Sequence, residues 1–575
     1  MTNPTTKPTI SSEKLQPAAH GGGVRGDSAV ASSTSHTGRF GRMFRSLPAG
    51  VWTKEVLMTL GKAMTADPEV AQDDPTLPAA SPETDKHIQD DEENAGIAAG
   101  YTYLGQFIDH DITFDPASSL QQQNDPNALV DFRTPRLDLD SLYGRGPDDL
   151  PYMYDGNKFR LGRPLFEANA PTLAQDLPRF IDPNDPEAPK RAIIGDKRND
   201  ENVIVSQLHG AMLRFHNKLV DLNPRAAFQD PQTAFRDVQQ QVRWHYQWIV
   251  VNDFLIKICG EKTVKDILPH LGKHRPIWEN EPRFAVFKFR DTPFMPVEFA
   301  VAAYRFGHSM VRPIYRLNTR LAGGANFKEA TPSERKRGLE GRFFIFAGVQ
   351  DRGLNGFDEF PKQWAIDWSL FFDIDGSGTR GGKQRMQPAY KIDTSLVNPM
   401  GFLPEFSKAP LPPKDNPSVT DMQSVPVDPV MNPANLAQRN LLRGLSMGLP
   451  TGQDVARAMG VAPIADGDLR VGKAVLGDVS NNKPLVELHP SFAGNAPLWF
   501  YVLAEAQHDF VQRAKATGSK GDEEPVRLGT VGGRIVAETL IGLLWADGSS
   551  YLRQAPNWQP DSIRSMGDLL KFALS

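Results

Sequence analysis

The sequence predicts a mostly α fold, one large domain with long loops and few short strands. Three observations predict it. Apolar residues recur at helical spacing through many segments beyond about residue 95, and runs of period-2 alternation are few. The 47 prolines and 48 glycines imply long irregular connections. At 575 residues the chain exceeds the length at which one core stops growing, so it divides into two to four domains or wraps one large domain around something.

Hydrophobic residues make up 40% and charged residues 23%, a balance that can bury a large core. A net charge of −5, spread without a dominant tract, argues against nucleic-acid or anionic-membrane binding. Cys259 is the single cysteine, which excludes an intrachain disulfide and any Cys-based zinc or iron–sulfur site and fits a reducing compartment. The first residues lack the apolar stretch of a secretory signal, and no run of about 18 apolar residues occurs. The expectation is a soluble protein with no transmembrane segment, cytoplasmic or non-classically secreted.

Along the chain, residues 1–40 are rich in Thr, Ser, Gly, Pro and Lys and are expected to be a disordered tail. Residues 41–94 read as a loosely structured extension, with an acidic, proline-containing stretch over 65–93, and residues 95–575 as the folded domain. Helices are expected over 95–111, 205–222, 233–259, 296–311, 434–445, 497–517 and 531–545. No internal repeat is visible.

Four clusters of polar residues interrupt these apolar segments. Gln106, Asp109 and His110 lie at i, i+3 and i+4 and share one helix face, while Asp111 points about 100° further round. Burying an amide, a carboxylate and an imidazole on one face is costly unless each is paired or used. Arg198 and Glu201 lie three apart just before a helix that carries His209 and His216, both read as structural. Gly307 beside His308 removes bulk where a flat group could approach, and the helix offers one imidazole to a metal. Asn440 and Arg443 share a face of a later helix. Taken singly these have ordinary readings: an exposed helix end, a helix N-terminus where Asp200 and Glu201 meet the macrodipole, and a satisfied core histidine.

Taken together, in this order and spacing, they resemble the animal haem peroxidases, from about residue 95 to about 555, with weaker support from the segments at 497–501 and 531–538. The resemblance implies haem b as cofactor. It implies His110 as the distal base that takes a proton from hydrogen peroxide and returns it to the departing oxygen, Arg198 as the distal cation, and Gln106 as the partner of distal water or halide. It implies His308 as the proximal iron ligand, Asn440 as acceptor of its second ring N–H, and Arg305 and Arg443 as partners of the haem propionates. Asp109 and Glu201 match the carboxylates that form ester bonds to haem, while Asn202 stands where a methionine makes a third link in some members, putting efficient chloride oxidation in doubt. The loop Thr134-Pro-Arg136-Leu-Asp138-Leu-Asp140 resembles the family's calcium loop, with Thr134, the Arg136 carbonyl, Asp138 and Asp140 joining Asp111 around Ca2+. The implied activity is reduction of hydrogen peroxide, with halides, thiocyanate or small aromatic donors oxidised through an oxoferryl intermediate.

Other readings are weaker. A cyclooxygenase-like fatty-acid oxygenase needs a tyrosine three residues before the proximal histidine, where Arg305 stands, with Tyr304 one residue away. Gly444-Leu-Ser446-Met-Gly448 matches a nucleophile-elbow pattern but sits in a helical context, and the matching glycine string after His20 lies in the tail. The segment from Asp373 to Gly378 has an EF-hand flavour with the glycine shifted, and Arg25-Gly26-Asp27 is too short to signify adhesion. A non-enzymatic haem or calcium carrier would have no need of both His110 and Arg198.

Overall fold

The computed structural model describes residues 40–66, 92–113, 135–167, 170–185, 187–223, 229–271, 281–289, 292–318, 342–344, 354–374, 376, 386–403, 433–477, 479–519 and 524–575. Residues 1–39 of the expected tail, Thr134, most of 65–93 and half of the Asp373–Gly378 segment lie outside these residues. The fold is mostly α, and its sheets are two-stranded among the described residues. Buried apolar side chains form one contiguous cluster from Phe40 to Ala573.

The principal helices are α1 (Lys54–Ala63), α2 (Gly100–Ile112), α3 (Val203–Leu222), α4 (Pro231–Ile249), α5 (Leu436–Ser446), α6 (Leu498–Thr517), α7 (Thr530–Ala546) and α8 (Met566–Ala573). Sequence and structure agree on most of them to within a few residues. Their starts carry side-chain caps where the chain has Thr, Asn, Asp or Ser in place: Thr53, Asn202, Asp230, Asn435 and Ser565 each accept a backbone N–H of the first turn. α7 has no such residue. Its first amides are satisfied by Glu505 of α6, whose carboxylate accepts from Val531 and Gly532 and so docks the two helices.

Two expected helices are shorter than their apolar patterns suggest. Residues Glu93–Ala98 form a strand paired antiparallel with Pro388–Tyr390, so the first helix starts at Gly100 and not near 95. Backbone partners from a distant strand outweigh local periodicity there. The stretch 296–311 is a short helix, Val297–Ala300, followed by a 3₁₀ segment, Ala303–His308. Between them Ala302 leaves helical geometry (φ −127°, ψ −77°), and the Ala300 carbonyl accepts from Arg305 Nε at 3.1 Å. The continuous helix is broken by a side chain that takes one of its carbonyls.

The polar segment before α3 is likewise not the first turn of that helix. Lys197–Asp200 is a separate 3₁₀ turn capped by Asp196, and Asn202 begins α3 afresh. Asp200 is held away from any helix dipole in a buried network: Arg179 binds Asp200 and Asp176 through charged contacts of 2.8 Å, and Ser206 Oγ donates to Asp200. This turn is also clamped from outside, since Gly195 passes so near the acidic loop that an added Cβ would lie 2.6 Å from the Ser141 carbonyl. α2 packs on α3 and on the Ala303–His308 turn, and α6 and α7 back the same turn.

Candidate active site

α2 presents Gln106, Asp109, His110 and Asp111 where it meets the Lys197–Asp200 turn and the start of α3. His110 and Asp111 are buried, while Gln106 and Asp109 are half-buried, so the polar face is neither solvated nor apolar. Arg198 Nη2 donates to the His110 carbonyl at 2.9 Å, while its Nε and Nη2 grip the carboxylate of Asp196. Asn199 Oδ1 lies 2.9 Å from His110 Nδ1. Gln106 donates to Glu201 Oε1 and accepts from Asn202 Nδ2, and Glu201 Oε1 stands 3.8 Å from His110 Nε2. Burial, with the nearby Arg198 charge second, pushes the His110 imidazole down to about 4.

The Ala303–His308 turn approaches the same helix. Tyr304 donates its hydroxyl to the Gly105 carbonyl at 3.1 Å, tying the turn to α2 one residue from Gln106. Asp109 lies near enough for its charge to be felt by Arg305. His308 Nδ1 contacts Asn440 Nδ2 at 2.8 Å, and Nε2 makes no hydrogen bond among the described residues. Burial, followed by the Arg305 charge, pushes His308 down to about 3, so the ring is neutral and can offer a lone pair. A Cβ built on Gly307, the residue before His308, would meet nothing within 4 Å.

The residues present fit a haem, with one adjustment. A neutral imidazole that binds metal through Nε2 keeps its proton on Nδ1 and needs an acceptor there. Asn440 turns its amide nitrogen to His308 instead, because Arg305 Nη1 donates to its Oδ1 at 2.8 Å. As it stands, the Asn440 oxygen is engaged by Arg305; a metal held at His308 Nε2 would favour the opposite sense of that amide. Arg443 is buried one turn further along α5.

On the other side of His110, Asp111, Asp138 and Asp140 each place a carboxylate oxygen within 4.8 Å of the others, all three buried. The loop is shaped to do this. Leu139 adopts the left-handed region (φ 59°), unusual for a branched side chain. Its N–H and the Ser141 hydroxyl donate to Asp111 at 3.2 Å. Arg243 Nε and Gln247 Nε2 hold the Asp138 and Leu137 carbonyls at 2.6 and 3.0 Å. Burial and the neighbouring Asp140 raise the Asp138 carboxyl to about 7. Arg136 lies nearby with Nη1 3.8 Å from Asp547.

The structure brings Gln106, Asp109, His110, Arg198 and Glu201 together, groups Arg305, His308 and Asn440, and gathers Asp111, Asp138 and Asp140. Sequence reasoning missed Asn199 and the bond from Asn202 to Gln106; an asparagine beside a basic residue carries no periodic signal. His216 is structural as expected, held between the Tyr143 hydroxyl and the Asn157 carbonyl. Ser446 donates to the Arg443 carbonyl at 3.0 Å near the end of α5, within a helix and not at a strand-to-helix turn.

Residues 118–344 match the family described as animal haem peroxidase. Thyroid peroxidase of Canis lupus familiaris is 29% identical over 164 residues, covering 28% of this chain and 15% of that protein. A peroxidasin homolog of Mus musculus is 27% identical over 210 residues, covering 34% of this chain and 13% of its own length. Among solved structures, peroxidase A from Dictyostelium discoideum has a similar fold over 94% of both chains (TM-score 0.53, 14% identity). The fatty acid alpha-dioxygenase of Arabidopsis thaliana shares the fold over 93% of this chain and 77% of its own (TM-score 0.51, 15% identity). The fold is of the mostly α kind that these solved structures share. The match to the animal haem peroxidase family rests on residues 118–344, and the chain spans only a small part of the length of the curated relatives it matches. The matched segment takes in Arg198, Glu201 and His308, and the fold supplies His110 and Asn440 from outside it.

His110 is expected to be uncharged at neutral pH and to gain a proton only as pH falls towards about 4. Histidine-selective ¹⁵N spectra over a pH series would read this directly. A His110 midpoint at the ordinary imidazole value of about 6.5 would contradict the burial argument.

Proposed function

We propose that this chain is a haem-dependent peroxidase that reduces hydrogen peroxide and oxidises halides, thiocyanate or small aromatic donors. The observation that carries the reading is a buried, neutral His110 whose Nδ1 faces an acceptor, with Arg198 bound to its own backbone carbonyl. Haem b, when bound, supplies the iron at which the peroxide O–O bond is split. His308 would hold it through Nε2, Asn440 would orient the His308 ring at Nδ1, and Arg305 and Arg443 would meet its propionates.

His110 Nε2 takes the proton of incoming peroxide and returns it to the departing oxygen. It can do so because Asn199 keeps Nδ1 occupied as the donor and because the ring is neutral over the working pH range. Arg198 supplies positive charge beside the same atoms, and its clamp by Asp196 means that little reorganisation is needed. Gln106, fixed from both ends by Glu201 and Asn202, orients the distal solvent or anion. Tyr304 lies four residues before His308 with its hydroxyl engaged by Gly105, which weighs against a tyrosyl-radical fatty-acid oxygenase.

His110→Ala is expected to slow reaction with peroxide by about 10²–10⁴-fold while haem stays bound. Stopped-flow absorption would measure it, and an unchanged rate would remove the distal assignment.

Asp109 and Glu201 are the proposed ester partners of haem. Asp109 now accepts from the Thr113 hydroxyl at 3.0 Å and Glu201 from Gln106, so each carboxylate is already oriented by a neighbour. With Asp109→Val and Glu201→Gln combined, haem should become extractable into acidified organic solvent. Equal extraction from the unaltered protein would show that no covalent link forms.

Asp111, Asp138 and Asp140, with the Arg136 carbonyl and Thr134, are the proposed Ca2+ ligands. Cation and proton compete for Asp138, so affinity should rise with pH towards about 7 and level off above it. Calorimetric titration of the chelator-treated protein at several pH values reads the trend; a pH-independent affinity, or none, would exclude this site.

A further inference from the structure

The mechanism leaves one buried titratable group beside the site without a use. His209 lies on α3, fully enclosed, with its ring at 65° to the ring of Phe107. Its Nδ1 is 3.0 Å from Asn199 Nδ2, the amide whose oxygen faces His110 Nδ1 at 2.9 Å. Its Nε2 is buried and has no hydrogen-bond partner among the described residues. Three buried side chains thus form one line, His110–Asn199–His209, with nothing on the far end.

The chemistry of that line is restrictive. Burial pushes His209 down to about 3, so its ring is neutral and has one N–H and one bare nitrogen. An amide is asymmetric: Asn199 offers an acceptor to one ring and a donor to the other. The two imidazoles must therefore carry their protons on opposite nitrogens. With the amide as found, His110 holds its proton on Nδ1 and leaves Nε2 bare, while His209 holds its proton on Nε2. Reversing the amide reverses both rings and puts a proton on the nitrogen of His110 that must act as base. A native interior rarely tolerates an unpaired polar group such as His209 Nε2, and coupling to His110 explains why this one is retained.

We infer that His209 is a positioning residue for His110, fixing through Asn199 which ring nitrogen of His110 carries the proton. It does not itself meet substrate. The inference uses the peroxidase reading only for the consequence it assigns to the His110 tautomer.

The test is a histidine-selective ¹⁵N spectrum of the full chain at neutral pH, which reports tautomers whether or not peroxide is consumed. The unaltered protein should show His110 protonated at Nδ1 and His209 at Nε2; the same tautomer in both rings would overturn the inference. His209→Leu keeps a similar volume without polar atoms, and the Nδ1–H share of His110 should fall to about half as the amide loses its preferred direction. His209→Asn restores a polar atom at the Nδ1 position and should recover most of that share, together with the peroxide reaction rate. A His209→Leu protein whose His110 remains wholly Nδ1–H would also overturn it. Opposite tautomers in a holoprotein that does not react with peroxide would support the relay and instead sink the peroxidase reading.

Discussion

An imidazole taken out of water favours a partner for its ring nitrogens, and at His110 the partner of Nδ1 organises the surroundings. Asn199 can reach Nδ1 only because the Lys197–Asp200 turn is pinned against α2. The pin is Arg198, which bridges the His110 carbonyl and Asp196. Behind it, Asp200 is fixed by Arg179 and Ser206, and Gly195 allows the acidic loop to press close. Charged contacts this deeply buried add little net stability after desolvation. Here they set geometry, holding a short turn that has no helix or sheet of its own to define it.

The same constraint links the two ends of the site. α2 carries His110 to Asn199 and Asp111 to the acidic loop, so adjacent residues, about 100° apart round the helix, serve two different neighbours. Tyr304 fastens the His308 turn to that helix from a third side. On the His308 side the amide of Asn440 plays a part parallel to that of Asn199: each asparagine stands between a histidine Nδ1 and a second polar group. The difference lies in direction. Asn199 gives its oxygen to the histidine, whereas Asn440 gives its oxygen to Arg305 and its nitrogen to the histidine. A bound metal would favour the opposite sense at His308, so the proximal half is the one that must rearrange.

Much of the site was legible because its residues sit at helical spacings within apolar segments. Gln106, Asp109 and His110 share a face, and a costly face invites a functional explanation. His308 beside Gly307 and the acidic alternation at 138 and 140 are local signals of the same sort. What escaped were the connectors. Asn199 and Asn202 are short polar residues near a helix start, where asparagine is common for capping alone, and Asn202 does cap α3. His209 looked like a packed core residue, and it is packed; only its Asn199 neighbour gives it a further part.

By itself, the sequence determined the mostly α character, the positions of the long helices and the identity of the polar clusters. Those properties follow from periodicity and composition, which are local. Only the tertiary structure decided where helices stop: the strand from Glu93 to Ala98, the break at Ala302 and the separate turn before α3 each depend on a partner distant in the chain. It also decided the direction of each hydrogen bond at the two histidines. An amide has no preferred orientation until both of its neighbours are in place: at Asn199 they come from α2 and α3, and at Asn440 both come from the Ala303–His308 turn, an element other than its own.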